Sequence, residues 1–116
     1  MPRQSRSRAL VDAIVEATTR VLPDRGLDQT TTNQIAEVAG VSIGSLYQYF
    51  PNKDAILAHL IEKDLTAQEE AFRKIVEDKR DLSLEGVVAA IVEHATDRYL
   101  AHPRLVRAVF VHAPRL

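Results

Sequence analysis

Apolar positions recur along this chain at intervals of three and four and nowhere alternate with polar ones for more than a few residues, so the pattern predicts helices and no sheet. Leu10, Ile14, Ala17 and Val21, with Val11 and Thr18 beside them, mark the buried face of a first helix from about Ser7 to Leu22. Pro23 cannot donate to the carbonyl four residues back, so that helix is expected to end or kink there, and Gly26 offers a left-handed exit. Thr31 followed by Gln34 is a capping box, opening a short second helix that carries Ile35, Ala36, Val38 and Ala39 and stops at Gly40. Ser42 caps a third helix, Ile43 to Tyr49, which Phe50-Pro51 ends. Asn52 caps a long fourth helix with Asp54 in its first turn, and Ile56, Leu57, Leu60, Ile61, Leu65, Phe72, Ile75 and Val76 carry its stripe towards residue 77.

Beyond a polar stretch at residues 77 to 85, a fifth helix from about Ser83 to Ala101 is apolar over more than half its circumference, at Leu84, Val87, Val88, Ile91, Val92, Ala95 and Tyr99. A helix of that kind is expected to be buried by several neighbours. Pro103 suits the first turn of a sixth helix with Leu105, Val106, Val109 and Phe110 on one side. The sequence stops at Leu116 without a polar tail, so this apolar surface is expected to meet either a partner chain or further sequence.

Composition narrows the picture. With 46% apolar and 27% charged residues in 116, the chain is one small globular domain or a little more. Its longest apolar run, Val87 to Val92, is far short of the roughly 20 residues a membrane-spanning helix needs, and Asp12 and Glu16 interrupt the N-terminal apolar stretch. A cytoplasmic protein without membrane contact is expected. The absence of Cys removes disulfides, thiolate metal sites and Cys nucleophiles together. His59, His94, His102 and His112 show no i, i+3 or i, i+4 pairing, and there is no Gly-rich phosphate loop, Ser nucleophile elbow or carboxylate pair in an apolar context. No metal, cofactor, catalytic residue or enzymatic activity is therefore expected. His94 and His112 remain candidates for lining a small-molecule pocket.

The chemistry concentrates in residues 31 to 50. Ala36 lets two short helices approach, Gly40 permits the turn between them, and Ile35, Val41 and Leu46 fill the space inside, which is the packing logic of a helix-turn-helix. Three of the six aromatic residues, Tyr47, Tyr49 and Phe50, fall at the end of the third helix. Tyr47 and Tyr49 lie about 200° apart around it, so at most one is core. Either Tyr47 packs and Tyr49 is an ordinary exposed aromatic, or the phenolic hydroxyls reach phosphates together with Thr32, Ser42, Ser45 and Lys53, a set of short donors flanking one helix.

The stretch Thr31 to Leu57, TTNQIAEVAGVSIGSLYQYFPNKDAIL, closely resembles the DNA-binding segment of the tetracycline-repressor (TetR) family of bacterial transcription regulators, through its Gly-Val-Ser, Leu-Tyr-x-Tyr-Phe and Asn-Lys-Asp elements. A looser resemblance extends from about Ser7 to Leu60. It implies an all-α fold: a three-helix, homeodomain-like helix-turn-helix domain over residues 1–52, then residues 53–116 as a connector helix and part of a helical effector-binding and dimerisation domain. It also implies a homodimeric, ligand-responsive repressor on a pseudo-palindromic double-stranded DNA operator, with an unknown small-molecule effector. By position, the resemblance assigns Asn33, Ile43, Gly44 and Gln48 to base edges and Thr32, Ser42, Ser45, Tyr47, Tyr49 and Lys53 to the phosphate backbone. Gln48 is chemically suited to pair bidentately with adenine, and Ile43 or Gly44 to approach a thymine methyl group. Gly44 departs from the family, where a side chain often stands, and so does Pro23, where the first helix usually continues.

Charge fits this reading only weakly. The formal net charge is -1, but residues 1–53 hold six basic and five acidic residues, whereas residues 54–116 hold nine and eleven. Much of the first half's basic charge is Arg3, Arg6 and Arg8, ahead of the first acid at Asp12. Those three form either a solvated terminus or a basic arm for phosphates or a minor groove. An affinity resting on hydroxyl and backbone donors, with a shallow salt dependence, is expected. The alternative from another class is a helical protein-interaction module that uses its fifth and sixth helices and has lost DNA binding.

Overall fold

The computed structural model describes residues 3–78 and 83–112, except the side chains of residues 3, 111 and 112. Residues 79–82 of the polar stretch, Leu116, and the side chains of Arg3 and His112 invoked above thus lie outside the described residues. The elements follow in the order α1 (Arg3–Gln29), α2 (Thr32–Ala39), α3 (Ile43–Tyr49), α4 (Lys53–Asp78), α5 (Leu84–Ala101) and α6 (Pro103–His112), with no strand among the described residues.

Local chemistry accounts for the ends of the short helices. At α2 the Thr31 hydroxyl accepts from the Gln34 N–H at 3.1 Å while the Gln34 side chain accepts from the Thr31 N–H at 3.0 Å, completing the capping box. Its C-terminus closes through Gly40 at φ 74°, with the Val41 N–H donating to the Ala36 carbonyl at 3.0 Å and the Gly40 N–H to Glu37 at 3.2 Å. This Schellman arrangement consumes the last carbonyls of α2 and aims the chain into α3. Ser42 caps α3 by accepting from the Ser45 N–H at 3.0 Å, Asn52 caps α4 through the Ala55 N–H at 2.8 Å, and Ser83 caps α5 through the Gly86 N–H at 3.2 Å.

α1 differs from expectation at both ends. It begins at Arg3 and passes through Pro23, and the break comes at Gly26, with φ 74° and ψ 165°. One proline forfeits a single N–H, which a long packed helix survives, whereas that combination of φ and ψ is essentially closed to residues with a side chain. Thr30 seals the break: its N–H and its hydroxyl both donate to the Gly26 carbonyl, at 3.1 and 2.6 Å.

One apolar core joins the first four helices. Ile14, Val15, Ala17, Leu22 and Leu27 of α1 meet Ile35 and Ala36 of α2, Leu46 and Phe50 at the end of α3, and Ile56, Leu57 and Leu60 of α4. α6 docks on the outside of this core through Leu105, Ala108 and Val109, and Arg104 pairs with Asp24 of α1 at 3.0 Å. The expected burial of α5 is not met: none of its residues is buried, and Leu84, Val88, Val92, Tyr99 and Leu100 are exposed. The reason is a shortage of neighbours, since among the described residues α4 and α6 are the elements that pack against it most. The outer half of α4 projects likewise, which stretches the molecule to 53 × 35 × 22 Å with a radius of gyration of 16.8 Å, against roughly 13 Å for a compact domain of this length.

Candidate nucleic-acid interface

α3 divides its seven residues cleanly. Leu46 is fully buried, and Phe50 just beyond the helix is buried with its ring edge-on to His59 at 5.6 Å, so one side is anchored in the core. Ile43, Gly44, Tyr47 and Gln48 are all exposed on the other side and span an arc of about 140° at helical pitch. This arc carries no formal charge: it offers an aliphatic tip, bare backbone at Gly44, a phenol and a carboxamide. Groups of that kind suit base edges, where hydrogen-bond pattern and methyl contact discriminate. Asn33 is exposed on the neighbouring α2.

The hydroxyl set is organised around this arc. Thr32 Oγ1 and the Tyr47 hydroxyl are hydrogen-bonded at 2.9 Å, which ties α2 to α3 across the turn and holds both oxygens at the surface. Ser42 Oγ donates to Ser45 Oγ at 2.8 Å while capping the helix. Thr32, Ser42, Ser45 and Tyr47 thus gather beside Ile43, Gly44 and Gln48.

Tyr49 and Lys53 face elsewhere. Tyr49, not Tyr47, is the tyrosine that packs: it is half-buried against the core, and its hydroxyl donates to Ser7 Oγ of α1 at 3.1 Å. Tyr47 stands half exposed, the reverse of the arrangement in which Tyr47 is core. The Lys53 ammonium donates to the carbonyls of Leu27 at 2.7 Å, Thr30 at 3.1 Å and Asp28 at 3.5 Å. It thereby satisfies carbonyls at the end of α1 and in the turn that follows it. Ser7, Leu27 and Thr30, which receive these two side chains, carry no local sequence signal because their partners lie 42, 26 and 23 positions away.

A second concavity lies at the opposite end, where α4, α5 and α6 enclose about 530 Å³. Leu65, Phe72, Val109 and Phe110 supply apolar wall, and Asp64, Gln68 and Arg98 supply its polar groups. Gln68 is hydrogen-bonded to His94 Nε2 at 2.9 Å, and the His94 ring meets Phe72 edge-on at 5.9 Å, so His94 stands behind the wall. Among the described residues no cluster of three or more His, Cys, Asp or Glu gathers, and no helix is long and apolar enough to cross a membrane.

A core-anchored helix-turn-helix, with α3 outward and the long α4 following it, defines the class. Residues 14–60 match the family model described as "Bacterial regulatory proteins, tetR family", and over these residues the chain is a member of that family. Among curated relatives it is 30% identical over 93 residues to the nucleoid occlusion factor SlmA of Haemophilus ducreyi, covering 78% of this chain and 44% of that protein. It is 26% identical over 96 residues to the HTH-type transcriptional regulator EthR of Mycobacterium tuberculosis, covering 83% of this chain and 44% of that one. The HTH-type transcriptional regulator PksA of Bacillus subtilis is 40% identical over 58 residues, half of this chain and 28% of that protein. A solved structure from Mesorhizobium loti, described as of the TetR family, has the same fold, with a TM-score of 0.76 at 19% identity over 99% of this chain and 57% of that one. The chain thus spans less than half the length of these curated relatives.

Proposed function

We propose that this chain reads double-stranded DNA through α3 as the head of a homodimeric, ligand-responsive transcriptional repressor. The observation that carries the proposal is the exposed, uncharged arc of Ile43, Gly44, Tyr47 and Gln48, held rigid by Leu46 and flanked by surface hydroxyls. Gln48 and Asn33 pair with base edges, Ile43 and the bare backbone at Gly44 lie against a thymine methyl group, and Thr32, Ser42, Ser45 and Tyr47 hold phosphates. Tyr49 and Lys53, also assigned to the backbone by the resemblance, are turned inward in the free protein, Tyr49 tying α3 to α1 and Lys53 holding the α1–α2 turn, and they keep a place in the phosphate set only if they turn outward on binding. Two copies place their α3 helices in successive major grooves, roughly 34–36 Å apart, on a pseudo-palindromic site.

The concavity between α4, α5 and α6 is the proposed effector site. Its ligand acts on the head by two routes, along α4 to Lys53 and through α6, which rests on α1. Release of DNA follows from a difference in ligand affinity between two such arrangements. A gel shift on genomic fragments across a range of salt concentrations tests the DNA reading: salt-sensitive retardation is expected, and no retardation, or retardation indifferent to salt, contradicts it. In that event the exposed apolar residues of α5 and α6 favour a protein-interaction module instead.

A further inference from the structure

We infer that the cleft between α4, α5 and α6 takes an apolar organic anion, a carboxylate on a hydrocarbon body, whose head group competes with Asp64 for Arg98. This rests on the reading of the cleft as the effector site and adds the chemical class of the ligand and the contact it disturbs. At about 530 Å³ the cleft lies within the roughly 300–1,000 Å³ typical of small-molecule sites, and most of its wall is aliphatic or aromatic. A packed helix in the same place would desolvate the Asp64–Arg98 pair, which is now only about one-third exposed, and return nothing for it.

The polar groups of the wall select the sign of the ligand. Arg98 Nη2 donates to both oxygens of Asp64, so the pair ties α5 to α4 and engages both carboxylate oxygens. The remaining Arg98 donors, on Nε and Nη1, have no protein partner among the described residues and flank the Nη2 that holds Asp64, so an incoming carboxylate takes one of them singly or forms a fork only by sharing Nη2 with Asp64. Gln68 engages its carbonyl oxygen with His94 and keeps its amide N–H groups for an acceptor. The surplus is therefore of donors, whereas a cationic ligand would meet only an Asp64 that Arg98 already neutralises. A carboxylate on Arg98 shares the guanidinium with Asp64 and weakens the tie between α5 and α4. α4 is the helix whose first residue, Lys53, grips the α1–α2 turn.

The test is calorimetric titration of the 116-residue chain with decanoate, 1-decanol and decylammonium, each below its micellar concentration, with sedimentation at the same protein concentrations. Decanoate is expected to bind at least tenfold tighter than the other two. Arg98→Met should abolish that preference, read as the ratio of decanoate to decanol binding in the same variant. Asp64→Asn should tighten decanoate severalfold, a gain that a misfolded variant cannot produce. Equal binding of all three, or preference for decylammonium, overturns the anionic class and leaves the effector cleft standing. Binding of none overturns both, as does decanoate binding that vanishes when the chain self-associates, since a second copy then fills the cleft.

Discussion

Lys53 spends its ammonium protons inside the protein, on carbonyls at the end of α1, and this separates two roles that a sequence motif merges. If its task is to hold the α1–α2 turn, Lys53→Met lowers the melting temperature by several degrees and leaves the salt dependence of DNA binding unchanged. If it neutralises a phosphate, the melting temperature holds and the logarithmic salt slope falls by about one. The geometry predicts the first result, read by thermal denaturation alongside binding at three salt concentrations. Gln48 is the opposite case, exposed and committed to no partner among the described residues, so Gln48→Ala should leave the melt unchanged and relax base preference at one or two positions, by about 1–3 kcal/mol each. That Gln48 faces outward was expected only through the family resemblance, which assigned it to base edges. That Tyr49 reaches Ser7 was not expected, because nothing near either residue encodes a contact across 42 positions.

Among the helices, what the sequence made legible was chemistry completed within four residues. The caps expected at Thr31, Ser42 and Asn52 and the turn at Gly40 are such features, and each is formed; the Ser83 cap of α5 is a further one of the same kind. The burial of α5 was misjudged because an apolar circumference states what a helix requires of its surroundings, while the neighbours present decide what it receives. The three glycines for which substitution can be weighed separate into distinct tests, since an added Cβ meets nothing within 4 Å at Gly26, Gly40 or Gly44 and only backbone conformation decides. Gly40→Ala, in the left-handed helical basin, should cost about 1 kcal/mol, and Gly26→Ala, at ψ 165°, about 2–3 kcal/mol. A thermal melt with Gly40→Ala the worse of the two would contradict the assigned backbone. Gly44 has no such constraint, so Gly44→Ala should stabilise the free protein by about 1 kcal/mol. If the backbone of α3 approaches the groove there, the same variant must bind DNA more weakly, and a gain in both stability and affinity would remove Gly44 from the interface.

For the whole molecule, a near-neutral chain that binds DNA has to rely on a few well-placed groups. α3 carries no charge, and the basic residues of the head are Arg3, Arg6, Arg8, Arg20, Arg25 and Lys53, of which Arg20 pairs with Glu16 at 2.9 Å and Lys53 is turned inward. With the other four on phosphates, a logarithmic salt slope of only about −3.6 per chain is expected. The exposed Val88, Val92 and Leu100 of α5 predict self-association, which sedimentation checks and Val92→Asp should suppress without altering the head. Neither this surface nor the seating of α6 on α1 is local, so the sequence shows only that apolar area is present and not what covers it. Base reading by α3 is measured by selecting bound sites from a random duplex pool, with the wild-type chain and Gln48→Ala run side by side. The wild type should enrich a pseudo-palindromic motif, and the variant should return that motif with information lost at one or two positions in each half. No enriched motif, or an identical motif from both proteins, would contradict it.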